Sequence, residues 1–222
     1  TILLHDQSIN LYGEKTVQEF IKNAKNKQID THIWTPILHT NQWENPIKNG
    51  KLNEEILEKN LKKVNEISKI PGIIGVQLDY IRYPGNANEY ENSTEAITLL
   101  VKKLSEEIKK VNKTLIITGT LMPEPYTTAY GQNPRQLSKY LDAIIPMVYK
   151  GNYNKNSKWI NETLQWYTKN ILESKIWAGL QTYTSDKNPT PLSLDELNQD
   201  INKAINTGIE KVALFRYGLT QY

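Results

Sequence analysis

Short runs of β-branched and apolar residues alternate along the chain with longer segments in which apolar residues recur at helical spacing. The short runs are typical of buried strands, because turn residues bound them and β-branched side chains are enriched in them. They predict strands at Thr1–His5, Asp30–Thr35, Ile73–Tyr80, Thr114–Leu121, Ala143–Tyr149, Lys175–Gln181 and Lys211–Arg216. Strands that alternate with helices in this way imply a parallel sheet with helical crossovers.

The clearest predicted helix carries a single apolar stripe on an otherwise charged surface. The members of the stripe are Ile97, Leu100, Val101, Leu104, Ile108 and Val111. Asn92 offers this helix an N-cap, and Ser193 with Glu196 forms a capping box before a later helix. Asn133 and Pro134 predict the start of a short helix, since proline is favoured at the first helical position.

Two architectures fit this alternation, a doubly wound open sheet and a closed (β/α) barrel. No glycine-rich phosphate loop follows any predicted strand, which disfavours the nucleotide-binding open sheet. Large polar and aromatic side chains instead occupy the strand ends, where barrel enzymes build their active sites. These side chains are His5, Asp6, Trp34, Asp79, Tyr149, Gln181 and Arg216. We therefore predict an α/β protein with one domain over residues 1–222, folded as a TIM-type (β/α)8 barrel.

Composition and charge narrow the classes of function. The chain has no cysteine, which removes disulfides, thiolate catalysis and cysteine-based zinc sites. The net charge of +3 is spread along helical surfaces, whereas a nucleic-acid-binding protein tends to gather basic residues into one patch. The three histidines lack the spacing of metal ligands, and no apolar run approaches the ~20 residues of a membrane-spanning helix. We expect no cofactor, no catalytic metal, no nucleic-acid partner and no membrane insertion.

The aromatic residues are biased toward the types that contact sugars. Thirteen Tyr and five Trp stand against two Phe, and Tyr and Trp combine an apolar face with a polar edge. Core packing accounts for most of them. Trp43, in the loop from His39 to Pro46, either stacks on a sugar ring or pins that loop to the domain. Trp34, Tyr149 and Tyr217 are stronger candidates for sugar contacts, because strand ends face the site.

The most informative stretch is Gly75–Pro84, in which a buried strand ends at Asp79. Arg82 follows within ionic reach, and a neighbouring guanidinium favours the charged form of a carboxylate. An ionised carboxylate suits a nucleophile or a group that stabilises oxocarbenium charge. The same spacing also fits a structural pair of Asp79 and Arg82.

The run from Leu78 to Pro84 closely resembles the D-Y-x-R-Y-P motif that ends the fourth strand in glycoside-hydrolase-like barrel families. Those families look distantly like the α-amylase and chitinase barrels. The run Pro146–Tyr149 resembles their sixth-strand M-x-Y element, and Gly179–Tyr183 and Leu214–Tyr217 fall where their seventh and eighth strands end. The resemblance implies that Ile73–Tyr80 is strand four, so that the first strand of the barrel is absent. The D-x-D-x-E run of chitinases is missing, which puts substrate-assisted catalysis in doubt.

This resemblance implies hydrolysis of an O-glycosidic bond, with Asp79 as the ionised carboxylate. A hydrolase needs a second group to protonate the leaving oxygen. Glu124 is the candidate general acid/base, because it follows the presumed fifth strand, where the amylase-like barrels keep their general acid. Its alternative role is that of a loop carboxylate in solvent. The candidate substrate-binding residues are His5, Trp34, Trp43, Arg82, Tyr149, Gln181, Arg216 and Tyr217.

A cell-wall or extracellular polysaccharide is the expected substrate. We accordingly expect the protein to be extracellular or at the cell surface and to be attached to further domains. Pseudomurein is a candidate, because His32-Ile33-Trp34 and the pattern around Trp43 look similar to domains of methanogenic archaea. Two alternatives remain open: an inactive barrel that only binds a glycan, and a metal-dependent polysaccharide deacetylase or lyase. A divalent metal near Asp6 and His39 would favour the second alternative.

Overall fold

The structure, a computed structural model, describes residues 1–218, and its central feature is a seven-stranded sheet. The strands lie in the sheet in the order of the sequence, and each pairs in parallel with the next. We number them β1 to β7: Ile2–His5, Thr31–Pro36, Gly75–Asp79, Ile116–Leu121, Ala143–Pro146, Lys175–Gln181 and Lys211–Phe215. All seven overlap the strands predicted from the sequence.

Helices α1 to α7 connect these strands: Gln7–Tyr12, Glu14–Asn26, Glu54–Ser68, Ser93–Val111, Pro134–Leu137, Ser157–Asn170 and Leu194–Ile205. A short 3₁₀ helix spans Ala87–Glu89, and two small hairpins pair Ile47–Lys48 with Lys51–Leu52 and Tyr183–Ser185 with Asn188–Pro191. The hairpins and α1 were not predicted, because such short elements contain too few residues to show a period. None of the described helices combines the length and hydropathy that crossing a membrane requires.

Local signals account for where several helices begin. Of the predicted capping box, the Ser193 N-cap is confirmed, since Ser193 Oγ accepts a hydrogen bond from the Glu196 backbone N–H at 3.2 Å, whereas the Glu196 carboxylate pairs with Lys150 at 2.9 Å. Asn133 Oδ1 accepts one from the Arg135 N–H at 3.1 Å at the start of α5. Asn92 does precede α4, but its side chain makes no capping hydrogen bond and its φ is 61°. Its contribution is the left-handed turn into the helix, a conformation that asparagine tolerates better than most residues.

The outer face of the sheet packs against the helices and forms the main hydrophobic core. The strand residues in this core include Ile33, Val76, Leu78, Ile117, Ile144, Ala178 and Leu180. The predicted stripe of α4 packs onto them, and its first five residues, from Ile97 to Ile108, are almost fully buried. Each large aliphatic side chain buried in this way contributes about 1.5–3 kcal/mol. This layer therefore supplies most of the apolar burial that stabilises the fold.

The inner face of the sheet is smaller and more polar. Successive side chains of a strand point to opposite faces, so alternate residues face inward. Ala143, Ile145 and Trp177 form a small apolar cluster of their own, separate from the main core. His32 and Thr118, at the inward positions of β2 and β4, are also buried.

The sheet curls over this inner face. The rings of His32 on β2 and Trp177 on β6 lie 6.1 Å apart, and so do those of Trp34 on β2 and Phe215 on β7. Strands that are not neighbours in the sheet can come this close only if the sheet is strongly curved. The predicted α/β class is correct, and the seven parallel strands form a half-barrel. The sequence prediction was a (β/α)8 barrel without its first strand; residues 1–218 form seven strands, and a closed eight-stranded barrel is not seen within them.

Candidate active site

Asp79, the last residue of β3, lies on the inner face at the carboxyl ends of the strands and is 9% exposed. Its carboxylate accepts three hydrogen bonds. Trp34 Nε1 donates to Oδ2 at 2.8 Å, the Tyr80 backbone N–H donates to Oδ1 at 2.7 Å, and the Thr120 hydroxyl also donates to Oδ1. An ionised carboxylate can only accept hydrogen bonds, so three donors are the partners it requires.

These donors come from the two strands that flank β3 and from the turn that follows it. Trp34 lies on β2 and Thr120 on β4, each at an inward-facing position. Tyr80 has a φ of 50°, which turns the backbone sharply at the end of the strand, and its N–H donates to Asp79. Trp34 was predicted to contact substrate, but its polar edge is already bonded to Asp79. Thr120 was not among the predicted site residues. The alternation of side chains along β4 would have predicted that it faces inward.

Arg82 does not pair with Asp79 as the sequence suggested. In the described part of the chain its guanidinium forms no ion pair, and Nη1 instead donates to the backbone carbonyl of Tyr83 at 3.0 Å. Burial lowers the pKa of Arg82, and the nearby negative charge of Asp79 acts in the opposite direction. The two charges are therefore neighbours without a direct hydrogen bond.

Three aromatic rings surround the guanidinium of Arg82. Its central carbon lies 4.7 Å from the ring centroid of Trp43, 5.5 Å from that of Tyr80 and 5.6 Å from that of Tyr130. Such cation–π contacts contribute about 0.5–2 kcal/mol each. Trp43 also packs against His39, with ring centroids 4.7 Å apart. Of the two roles predicted for Trp43, these contacts support the one that pins the loop.

Glu124 lies in the loop after β4 and is half-buried between two prolines. Its Oε2 accepts a hydrogen bond from the Tyr153 hydroxyl at 3.0 Å. Burial, followed by the negative charge of Glu124, raises the pKa of Tyr153 well above its usual value, so this phenol stays protonated. Arg82 lies close enough to Tyr153 to act against that shift in the pKa of Tyr153, and the charge of Asp79 in turn acts on the pKa of Arg82. Arg82 thus lies near Asp79 and also near Tyr153, the hydrogen-bond donor to Glu124.

Gln181, at the end of β6, is fully engaged within the protein. Its Oε1 accepts from the Gly151 N–H at 3.1 Å, and its Nε2 donates to the carbonyls of Tyr183 at 2.8 Å and Thr184 at 3.3 Å. A Cβ at Gly151 would lie 1.6 Å from the Thr184 carbonyl oxygen, so only glycine permits this contact. Gln181 was predicted to orient substrate, whereas these bonds join the loop after β5 to the hairpin after β6.

The wall of the site beside this hairpin is aromatic and acidic. Tyr149 stacks on Phe215, with ring centroids 5.9 Å apart and planes inclined by 10°. Burial, and next the charge of Asp79, raises the pKa of Tyr149 well above its ordinary value. The Tyr183 hydroxyl donates to Asp186 Oδ1 at 2.5 Å. Asp186 was not predicted, since nothing in a short polar hairpin distinguishes it from a solvated residue.

The remaining predicted residues lie further out. The His5 ring packs edge-on against Trp34, with centroids 4.7 Å apart, and its Nδ1 accepts from the Gln7 N–H at 3.1 Å. Arg216 is exposed, and its carbonyl oxygen accepts a hydrogen bond from the Thr182 hydroxyl at 3.1 Å. Tyr217 is 89% exposed. His5 thus supports Trp34, while Arg216 and Tyr217 lie at the solvent side of the strand ends.

No group of three or more His, Cys, Asp or Glu side chains that could hold a metal is found in residues 1–218. Asp6, where the deacetylase alternative would place a ligand, is engaged by other groups. The Thr35 hydroxyl donates to its Oδ2 at 2.6 Å, and Lys63 Nζ lies 3.8 Å from the same oxygen.

Solved structures with the same fold include several glycoside hydrolases. The glycoside hydrolase domain of PgaB (BpsB) from Bordetella bronchiseptica superposes with a TM-score of 0.67 at 9% identity, over 87% of this chain and 72% of that one. The Bacillus cereus spore cortex-lytic enzyme SleL gives 0.65 at 11% identity, over 91% and 59%. The endo-1,4-beta-D-mannanase from Thermotoga petrophila RKU-1 gives 0.61 at 13% identity, over 91% and 68%.

At these identities the likeness concerns the fold alone, and the chain spans only part of each of these structures. No curated protein matches the sequence. A family model does match it, over residues 12–189, which is most of the chain. The chain therefore belongs to the family DUF4015, described as "Putative glycosyl hydrolase domain".

Proposed function

We propose that this protein is a glycoside hydrolase that cleaves O-glycosidic bonds, with Asp79 as the ionised carboxylate and Glu124 as the general acid/base. The observation that supports this most directly is the set of three donors on the Asp79 carboxylate at the carboxyl end of β3. They hold a negative charge in one orientation before substrate arrives. Pre-organised charge of this kind is what stabilises a developing oxocarbenium ion.

In this proposal Glu124 is the group that protonates the leaving oxygen. Tyr153 holds Oε2, while Oε1 has no partner among the described residues and would carry the transferable proton. The prolines on either side of Glu124 restrict the backbone, which limits the orientations of its side chain. Arg82 stands near Asp79 and near Tyr153, the residue that donates to Glu124, so it places a positive charge close to the Asp79 carboxylate.

The reaction would begin with protonation of the glycosidic oxygen by Glu124, while Asp79 stabilises the positive charge that develops at the anomeric carbon. In a retaining enzyme the bond from that carbon to the protonated glycosidic oxygen breaks as Asp79 forms a covalent bond to the carbon, and the leaving sugar departs as an alcohol. Water, deprotonated by Glu124, then attacks the same carbon and releases the glycosyl group from Asp79. In an inverting enzyme a carboxylate activates a water that attacks directly. The anomeric configuration of the first product, followed by proton NMR, distinguishes the two courses.

The substrate we propose is a cell-wall or extracellular polysaccharide, with pseudomurein as a candidate. A fold similar to that of a spore cortex-lytic enzyme and of a mannanase supports a polymeric glycan as the substrate class. The aromatic lining of the site, with Tyr149 and Phe215 stacked beside Asp79, is suited to the apolar faces of sugar rings. A polymer of this kind implies that the domain acts at the cell surface or outside the cell.

The test is release of reducing ends from purified pseudomurein, peptidoglycan, β-1,4-mannan and microbial exopolysaccharides. Wild type is compared with Asp79→Asn and Glu124→Gln, and with Glu173→Gln as a control, because Glu173 is exposed beside the amino end of β6, away from the site. We expect both site variants to lose at least ~100-fold in rate, the scale of general acid–base catalysis. Wild type that binds a glycan and releases nothing would instead identify a binding module. Variants that cleave as fast as wild type would show that the residues are wrongly assigned.

A further inference from the structure

A second concave surface lies beside the loop that carries Glu124. Its volume is about 240 Å³, and its walls come from that loop, from the start of α5 and from α6. We refer to it as the Tyr126 groove; it is lined by Thr94, Pro125, Tyr126, Thr127, Thr128, Gln132, Asn133, Pro134, Arg135 and Trp166. The volume is below the ~300 Å³ at which pockets for drug-sized molecules begin, so it suits one ring-sized group.

An exposed aromatic side chain forms one wall of this groove. Tyr126 is 79% exposed, although leaving a ring of this size in water forgoes substantial apolar burial. Its position is set by Trp166, which it meets nearly at right angles with ring centroids 5.2 Å apart. Trp166 is itself wedged edge-on against Tyr167, whose hydroxyl donates to the carbonyl of Met122 at 3.0 Å. Tyr126 is thus held in place with ring surface left open to solvent.

The polar groups of the groove are nearly all neutral. Hydroxyl and amide side chains alternate with the aromatic rings, and Arg135 is the one charged residue among the lining residues described. Arg135 is anchored, because its guanidinium carbon lies 5.9 Å from the Trp166 ring and its Nη2 donates to Asn170 Oδ1 at 2.6 Å. The Gln132 amide is bonded within the protein, to the Met122 N–H and to the carbonyls of Ile81 and Thr120. An open aromatic face beside threonine hydroxyls and a guanidinium still matches a sugar ring, which presents apolar C–H faces and a hydroxyl rim.

We propose that the Tyr126 groove binds a sugar unit of the polysaccharide on the leaving-group side of the cleaved bond, an inference that rests on the proposed function. Tyr126 lies two residues after Glu124, so their Cα atoms are at most roughly 7.6 Å apart. As general acid, Glu124 contacts the oxygen of the departing sugar. A chain that continues from that oxygen along the loop reaches Tyr126 within one or two sugar units. The protein would then cleave within chains and favour substrates with several units on the leaving side.

The test uses Tyr126→Ala, with Tyr12→Ala as a matched control, because Tyr12 is 67% exposed on α1 and lies outside the groove. Binding is measured by affinity electrophoresis in gels that contain each glycan of the panel, in a Glu124→Gln background that does not cleave. Tyr126→Ala is expected to weaken binding about 3- to 10-fold, the scale of one aromatic stacking contact, and Tyr12→Ala to leave it unchanged. In the cleaving background, the loss in kcat/KM should grow with oligosaccharide length and vanish for the shortest cleaved substrate.

The outcomes separate this inference from the proposed function. Equal binding by the two tyrosine variants, or no binding of any glycan in the panel, would overturn the groove as a subsite. Cleavage that depends on Asp79 but is insensitive to Tyr126 at every length would also overturn it, while the hydrolase would stand. Binding that depends on Tyr126 without any cleavage would keep the groove and refute hydrolysis.

Discussion

Replacing Trp34 by Phe isolates one of the hydrogen bonds that hold Asp79. Phenylalanine keeps most of the ring contacts with His5 and Phe215 and removes the indole N–H that donates to Asp79 Oδ2 at 2.8 Å. A hydrogen bond to a charged group contributes about 1.5–3 kcal/mol, and each 1.4 kcal/mol corresponds to a factor of ten. If the bond holds the carboxylate in the transition state, Trp34→Phe lowers kcat/KM by roughly 10- to 150-fold.

Trp177→Phe is the matched control for this change. Trp177 lies on the same inner face and is 6% exposed, but its Nε1 has no hydrogen-bond partner in the described part of the chain. Both substitutions remove the same part of an indole ring, so the loss of packing is comparable. Only Trp34→Phe removes a bond to Asp79, and we expect kcat/KM of Trp177→Phe to stay within a few-fold of wild type.

The assay measures kcat and KM separately on a polysaccharide that wild type cleaves, together with urea unfolding of all three proteins. The reasoning predicts that Trp34→Phe acts mainly on kcat, because the position of the carboxylate matters most when charge develops on the sugar. Equal losses in the two variants, or an effect of Trp34→Phe on KM alone, would refute it. Urea unfolding shows whether any loss of activity merely follows a loss of stability.

Two further predictions concern stability. Burial lowers the pKa of His32 to about 4 from 6.5. Between these two pH values His32 is therefore protonated in the unfolded chain and neutral in the native protein. The free energy of unfolding should therefore fall as pH drops from about 6.5 to about 4, by about 3 kcal/mol in all, and His32→Gln should remove this dependence in urea titrations at pH 7 and 4.5. Lys150 Nζ lies 2.8 Å from Asp200 Oδ2 and 2.9 Å from Glu196 Oε1. The Asp200 side chain is 3% exposed, so Asp200→Asn should cost about 3–5 kcal/mol. Glu196→Gln, at a half-exposed partner, should cost under about 1 kcal/mol, and equal costs would contradict the difference in burial.

Sequence periodicity was sufficient to predict the sheet, and the resemblance to glycoside-hydrolase-like barrels indicated the two carboxylates. Apolar residues recur every three or four positions in an amphipathic helix and form short continuous runs in a buried strand. The seven strands and the apolar stripe of α4 could therefore be predicted from the sequence. Consecutive parallel strands end at the same edge of a sheet, and for that reason Asp79 and Glu124 were expected at one end of the fold. Their catalytic roles remain a proposal, which the substitutions described above address.

The partners of Asp79 depended on the tertiary structure. Arg82, three residues away in sequence, was expected to pair with Asp79, but the left-handed turn at Tyr80 redirects the chain and Arg82 enters an aromatic cage instead. The donors that do reach Asp79 include Trp34 and Thr120, which are 45 and 41 residues away. Similarly, Gln181 bonds to loops whose course the sequence did not indicate.

The physical reason for this division is the range of the forces involved. Burial of apolar side chains depends on local period, so the sequence by itself determined the element types, the buried faces and the strand ends that carry polar groups. Hydrogen bonds require donors and acceptors about 3 Å apart and well aligned. That precision arises only when strand register, sheet curl and loop conformation are combined, and it was the tertiary structure that decided which side chains surround each carboxylate.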